Sequence, residues 1–295
     1  MENPLVTIVV VSYNHSKYIK ENLDSIKKQS YPNIELIIGD DASLDNSVEV
    51  FESWLQANQY SAITNFHKKN TGLATTLNEC IGLANGKYIK LIAADDFFHF
   101  DYIKNCVALF ETTNADLIYT KAYGVDENSK ILNEDFFGSP EFKNNKELRA
   151  LLYNGNFISG AAFIVRKSVY NKIGYYQRDV LLEDYDLVLK MLNSGLVIKY
   201  LPQSLLYYRR HDGNITKTKF DLLQAHTIAT KIKYDIHFEF DSVINGNILK
   251  QLKQLNPNLG LIKKGYYKYK KRKLFYYLLI NKPFLIKSFI KLRLI

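Results

Sequence analysis

The sequence predicts an α/β fold: a mostly parallel central sheet with helices on both faces, and a helical extension at the C-terminal end. Three observations carry that expectation. Short apolar, β-branched runs alternate with segments of helical spacing through the first 120 residues, a rhythm that builds parallel sheets. Two of these runs end in adjacent carboxylates, Asp40-Asp41 and Asp95-Asp96. After Lys217 the pattern turns helical to the end, broken near Pro257 and Pro283.

The elements follow in order. Val6 to Ser12 is a continuous β-branched run, the mark of a strand buried on both faces. Ser16 to Lys28 has helical spacing at Ile19, Leu23 and Ile26. Ile34 to Gly39 reads as the second strand, and Ser47 to Trp54 opens the next helix. Ser61 to His67 is a strand, Leu73 to Ala84 a helix, Tyr88 to Ala94 a strand, Tyr102 to Glu111 a helix and Leu117 to Thr120 a strand. Val125 to Phe142 reads as a loop. Ile158 to Val165 is expected as a strand, Leu187 to Leu192 as part of a helix and Leu205 to Tyr208 as a strand. Two domains are expected, residues 1–217 and a helical, basic 218–295.

At 295 residues, with 47% hydrophobic and 23% charged side chains, the chain has ordinary globular composition. Its two cysteines, Cys80 and Cys106, lack metal or redox spacing and read as thiols of a reducing compartment. No secretory leader and no uninterrupted apolar stretch of about 18 residues is visible, so a cytoplasmic protein is expected. The net charge of +9 is uneven: from Ser242 onward there are 13 Lys and Arg and no acid, which leaves 26 basic and 30 acidic side chains in residues 1–241. A basic tail points to nucleic acid or a membrane surface. Its apolar stretches, Leu274 to Ile280 and Phe284 to Ile295, favour an anionic lipid surface over nucleic acid. The expected place is therefore the inner face of the cell membrane, as a peripheral protein.

In parallel α/β sheets ligands gather beyond the C-terminal strand ends. That singles out Tyr13, Asn14, Asp40, Asp41, Asp95 and Asp96. Two adjacent acids repel, and both stay ionised only beside a cation or strong donors. Hard oxygen ligands at that point suit Mg²⁺ or Mn²⁺, which suit a diphosphate. Tyr13 offers an aromatic face for stacking on a base. A carboxylate such as Asp41 can accept from the N3–H of uracil or thymine, or it can simply shape the turn. Glu183, Asp184 and Asp186 open an apolar helix, where acids also serve the helix dipole. Arg209, Arg210 and His211 follow a strand and suit diphosphate and metal contacts.

Taken together these pieces resemble the family 2 inverting glycosyltransferases of GT-A fold. The matching residues are Ser-Tyr-Asn at 12–14, Asp-Asp-Ala-Ser at 40–43, Asn-Thr-Gly-Leu-Ala at 70–74 and Ala-Asp-Asp at 94–96, followed by Glu-Asp-Tyr-Asp-Leu at 183–187 and Tyr-Arg-Arg-His with Asn-Ile-Thr from 208 to 216. The resemblance covers residues 5 to about 217. It implies a nucleotide-diphosphate sugar donor, a UDP-sugar before others, with Mn²⁺ or Mg²⁺ as cofactor. It places Tyr13 and Asp41 at the base, Asp95 near the ribose, Arg210 and His211 at the diphosphate, and the metal on Asp96 and His211. Asp184 becomes the base that deprotonates a hydroxyl of a glycan or lipid-linked glycan acceptor, in a hexosyl or N-acetylhexosaminyl transfer. Many members read Asp-Ala-Asp-Asp at the metal site, whereas the first position here is Ala93. A nicotinamide enzyme is disfavoured because Ser12 to Ser16 stands where a G-x-G-x-x-G is needed. A P-loop motif is likewise absent. A non-catalytic nucleotide-sugar binder is the remaining alternative, set against the acids at 41, 96 and 184.

Overall fold

The run Val6–Ser12, buried along its whole length, forms the central strand β1. A computed structural model describes residues 3–254, 257, 258, 260–268, 270 and 271. They fall into two units, Met1–Asn214 and Ile215–Ile295. In the first unit β1 is followed by α1 (Ile19–Lys27), β2 (Ile34–Asp40), α2 (Ser47–Asn58), β3 (Ile63–Phe66), α3 (Leu73–Leu83), β4 (Tyr88–Ala93), β5 (Phe97–Phe98) and α4 (Tyr102–Thr112). Then come β6 (Leu117–Val125), β7 (Ile131–Asn133), α5 (Asn145–Asn154), a 3-10 turn Gly160–Ala162, β8 (Phe163–Arg166), α6 (Lys167–Ile173), α7 (Glu183–Asn193) and β9 (Ile198–Arg209). The second unit holds α8 (Ile215–Thr218), α9 (Phe220–Tyr234) and α10 (Asp241–Lys253), with further helical residues at 260–268.

The strands form one sheet in the order β3-β2-β1-β4-β8-β6-β9-β5, with β7 added on β6. The first four run parallel, as the βαβ rhythm requires. Beyond β4 the sheet is mixed: β8 pairs antiparallel with both β4 and β6, while β9 runs parallel to β6. Val6, Ile8 and Val10 of β1, Leu36 and Ile38 of β2 and Ile92 of β4 share one core with Ile19, Leu23 and Ile26 of α1 and Phe51 of α2. On β2, a Cβ at Gly39 would lie 2.7 Å from Cys80 Sγ and 2.8 Å from Thr76 Cγ2. Glycine there lets α3 press onto the strand, which brings the turn before α3 against the end of β2.

Several stretches depart from the sequence expectation. The expected loop 125–142 contains β7, which pairs with β6. Only Phe163–Arg166 of the strand expected at 158–165 is extended, because residues 160–162 wind into the 3-10 turn. β6 and β9 are longer than expected, and α5, α6 and the two-residue β5 were not anticipated. Among the described residues no helix is long and apolar enough to cross a membrane. The apolar tail stretches 274–280 and 284–295 lie outside the described residues.

Candidate active site

β1, β2 and β4 end side by side, with Ser12 opposite Asp40 and Val11 opposite Ala93. Their exit loops therefore share one edge of the sheet. Asn14, at φ 60, turns the chain after β1. It is fixed to the β2 loop by its own N–H to Ser43 Oγ at 2.8 Å and by the Leu44 N–H to its Oδ1 at 2.7 Å. Asp40 is fully buried and accepts from the Ser43 N–H and hydroxyl, so it shapes the loop. Asp45 accepts from the N–H groups of Ser16 and Ser47 and joins the same two loops. The Tyr13 ring is left exposed at this edge.

Asp41 is buried and heavily engaged. Its Oδ1 accepts from the Thr71 N–H (2.7 Å), the Thr71 hydroxyl and His67 Nδ1 (3.0 Å each). Its Oδ2 accepts the Gly72 N–H at 2.8 Å. Burial alone would raise this carboxyl, but these donors outweigh it and hold it below the ordinary range. The other ring nitrogen of His67 meets Glu79 at 2.7 Å. Burial works against the imidazolium, yet the bonds to the two acids raise the His67 pKa above its usual value.

At the end of β4 the two acids part company. The Asp95 Oδ2 accepts from His211 Nε2 at 2.9 Å and lies 3.8 Å from His15 Nε2. The Asp96 Oδ1 accepts the Arg209 N–H at 2.9 Å. The structure thus brings His211 to Asp95, while Asp96 faces the backbone of β9. Burial raises both carboxyls. For Asp95 the His211 bond and the closeness of the His15 and His211 rings more than offset it, so its pKa is lowered; for Asp96 the Asp95 charge adds to burial and pushes it well above the ordinary range.

His211 is held by its own loop. Its N–H donates to Asn214 Oδ1 at 2.6 Å, and its Nδ1 accepts the Gly213 N–H at 3.1 Å. The Tyr18 ring lies 5.3 Å from the His211 ring. Below it the guanidinium of Arg209, 1% exposed, donates to the Asp95 carbonyl (2.8 Å), to the carbonyls of Asp126 and Glu127, to Ser129 Oγ and to Glu21 (2.5 Å). It also faces the rings of Tyr18 and Phe97. Arg209 is therefore a clamp between loops. Arg210, the neighbour expected at the donor, is exposed and places its guanidinium 5.6 Å from the Phe136 ring centre.

Asp184, the second residue of α7, is half-buried. Its Oδ2 accepts the Gly160 N–H at 2.8 Å and its Oδ1 the Tyr185 N–H at 2.6 Å. Burial raises its pKa more than these bonds lower it. Glu183, pressed by burial and by the Asp184 charge, is pushed up to about 8. The turn that holds Asp184 is itself tied to the acid-bearing strand. Lys90 on β4, fully buried, donates to the carbonyls of Ala161 and Phe163. Burial lowers its pKa to about 7 despite the nearby Cys106 and Asp96.

Sequence reasoning missed His15, His67, Glu79, Arg209 as a clamp, and Lys90. Two had a visible signal: Lys90 interrupts an apolar strand, and His15 lies just past the end of β1. His67 and Glu79 meet only because β3 and α3 are neighbours in the fold.

The ligand atoms of His15, Asp95 and His211 lie within 4.8 Å of one another. Asp95 Oδ1 and His15 Nδ1 are buried without a hydrogen-bond partner, a state that costs about 1–3 kcal/mol per group. A divalent ion with ligand bonds of about 2.0–2.2 Å draws any two ligand atoms within roughly 4.4 Å. The residues at Asp95 therefore fit such an ion. Coordination through His211 Nε2 moves the ring proton to Nδ1, which requires the Gly213 N–H contact to open.

The sequence pattern of the family described as Glycosyl transferase family 2 matches residues 7–174, more than half of the chain. The chain is similar to an Escherichia coli protein described as UDP-Glc:alpha-D-GlcNAc-diphosphoundecaprenol beta-1,3-glucosyltransferase WfaP, at 28% identity over 83% of this chain and 94% of the relative. Its fold is similar to that of S. aureus TarS 1–349 in complex with UDP-GlcNAc, with TM-score 0.65 and 20% identity over 91% of this chain and 81% of that one. Of a longer TarS chain it spans 44%. It also shares the fold of the mannosyltransferase PcManGT from Pyrobaculum calidifontis in complex with GDP-Man and Mn²⁺, with TM-score 0.58 and 16% identity over 98% of this chain and 84% of that one.

Proposed function

From the premise that this chain belongs to glycosyl transferase family 2 and is a glycosyltransferase, we propose that it moves one sugar from a nucleoside-diphosphate donor to an acceptor hydroxyl by a single inverting displacement. The observation that carries this reading is Asp95 paired with His211 at the shared edge of β1, β2 and β4, with one buried carboxylate oxygen left unbonded. We take residues 1–217 as the catalytic part. Asp95 and His211 would hold a divalent cation, with Asp96 as the competing ligand. When bound, the ion supplies positive charge against the diphosphate leaving group.

The chain's own residues supply the rest. Asp184, its pKa raised, takes the acceptor proton as the hydroxyl attacks C1; a positioned base of this kind contributes roughly 10²–10⁴-fold. Asp41 keeps one acceptor position on Oδ2, beyond the Gly72 bond, for the N3–H of uracil or thymine. Tyr13 stacks on the base, and Arg210 stands by the diphosphate. A hexose or N-acetylhexosamine is the sugar this reading favours. A lipid-linked glycan is the favoured acceptor: WfaP is named for transfer onto a diphosphoundecaprenol-linked sugar, and the 13 basic residues after Ser242 suit anionic lipid at the inner face of the membrane. The acids retained at 41, 95, 96 and 184 argue against a mere nucleotide-sugar binder.

The test is a binding and hydrolysis screen of UDP-, dTDP- and GDP-sugars with and without Mn²⁺. Mn²⁺-dependent binding and slow hydrolysis of a UDP- or dTDP-sugar are expected. Tight GDP-sugar binding, with the other two ignored, would refute the role given to Asp41. Binding without turnover under any metal would favour the binder.

A further inference from the structure

We propose that His15 is a third protein ligand of this cation, and that the resulting set of two imidazoles and one carboxylate selects Mn²⁺ over Mg²⁺. The inference rests on the metal site just proposed, and goes beyond it by assigning a residue and a metal preference.

Ala93 closes β4 with a methyl group, which offers nothing to a cation. Its register partner is Val11, and the Ala94 N–H bonds the Val11 carbonyl at 2.9 Å. The chain leaving β1 therefore runs directly beside the Asp95 corner. Asn14 turns it at φ 60, and the His15 N–H is pinned to Ser47 Oγ at 3.1 Å. His15 Nε2 then lies 3.8 Å from Asp95 Oδ2, too long for a hydrogen bond but within the span of two ligands on one ion. Its Nδ1 is buried without a partner, as is Asp95 Oδ1. The rings of His15 and His211 stand edge to face, with centroids 6.2 Å apart. Two nitrogens from separate loops thus converge on Asp95 Oδ2, and neither His15 Nδ1 nor Asp95 Oδ1 has a hydrogen-bond partner.

The donor set decides the metal. Mn²⁺, like Mg²⁺, takes carboxylate and water, but as the first member of the transition series it also accepts imidazole nitrogen, which Mg²⁺ does not favour, so each imidazole tilts the site from Mg²⁺ toward Mn²⁺. One carboxylate and two neutral imidazoles also leave a bound divalent ion with a net positive charge. A second carboxylate would cancel that charge, so the His15 form pulls harder on a diphosphate.

The experiment measures Mn²⁺ and Mg²⁺ affinity of the full chain with UDP present, for wild type, His15→Ala, His15→Gln, His15→Asp, His211→Ala and Asp95→Asn, each checked by thermal melting. Pulsed electron paramagnetic resonance of the Mn²⁺ complex counts coupled histidine nitrogens. Wild type should show two. His15→Ala and His15→Gln should show one and bind Mn²⁺ at least tenfold more weakly, while His15→Asp should lower the Mn²⁺/Mg²⁺ preference at least tenfold. Unchanged Mn²⁺ affinity in both neutral variants, or one nitrogen in wild type, overturns the role of His15. If Asp95→Asn and His211→Ala also leave Mn²⁺ binding intact, the metal site itself has been misplaced.

Discussion

His67 and Asp41 stand 3.0 Å apart, ring nitrogen to carboxylate oxygen, and Glu79 meets the other nitrogen of the same ring at 2.7 Å. Acids at both nitrogens favour the imidazolium, which braces Asp41 from behind while Thr71 and Gly72 hold it from the side. The carboxylate proposed to read the base is thus fixed by protein donors alone.

A pH dependence follows. The His67 pKa is raised, so its contribution is complete below about 6.5 and is lost as pH climbs through the folded value. Asp41 and Glu79 are lowered, so theirs is present above about 4 and is lost as pH falls through their folded values. His67→Gln should therefore cost about 1–3 kcal/mol near pH 5.5–6 and clearly less at pH 9. Melting curves of both proteins at the two pH values check it. Equal deficits would mean that the ring is held neutral.

Asp95→Asn and Asp96→Asn separate the two adjacent acids. Asp95→Asn should remove most Mn²⁺-dependent UDP binding. Asparagine resembles the neutral form toward which Asp96 is pushed, and it still accepts the Arg209 N–H, so Asp96→Asn should keep the fold and more of the metal affinity. Calorimetric titration with Mn²⁺ reads both. The reverse ranking would put the cation on Asp96.

Asp184→Asn should retain donor binding and lose roughly 10²–10⁴-fold in kcat. Because the Asp184 pKa is raised, the acid limb of the wild-type kcat/KM profile should lie above the ordinary carboxylate value of about 4. A variant within a few-fold of wild type would move the base to Glu183 or Asp186.

Arg209→Lys should behave as a stability defect. Lysine cannot satisfy the carbonyls of Asp95, Asp126 and Glu127 along with Ser129 and Glu21. A loss of about 1–3 kcal/mol for a buried acceptor left unpaired is expected, read by urea unfolding. Unchanged stability with a raised KM for the donor would return Arg209 to the diphosphate.

Removal of residues after Gly260 takes away most of the basic tail. Each Lys or Arg near an anionic surface contributes about 1 kcal/mol, so the truncated protein should sediment far less with anionic liposomes at low salt. Equal partitioning of the two forms would leave the tail without a lipid role.

Legibility from sequence followed locality. β1, β2 and β4 were readable because strands buried on both faces are predominantly apolar and β-branched. The paired acids were readable because adjacent charges at a strand end are costly without a partner. The two-residue β5 leaves no periodicity to detect, and α5 was lost in a polar stretch though Leu148, Leu152 and Tyr153 are buried. His67 depends on partners 26 and 12 positions away, and the Arg209–Glu21 pair spans 188. No local pattern announces such meetings. The motif marks Asp95 and Asp96 only as a pair, whereas the direction each carboxylate faces is set by Arg209 and His211, far along the chain.

Register at the middle of the sheet has one more consequence. β6 and β8 pair with Tyr119 opposite Phe163, and β8 returns at once to β4. The chain from 126 to 162 therefore departs and comes back between neighbouring strands. Its two ends are fixed, by Arg209 at Asp126, Glu127 and Ser129 and by Lys90 and Asp184 at the Gly160–Ala162 turn, but lengthening or shortening the exposed part between them changes its closure entropy only slowly. Insertions and deletions between relatives should concentrate in that exposed part, leaving the strands that carry Asp41 and Asp95 unaltered.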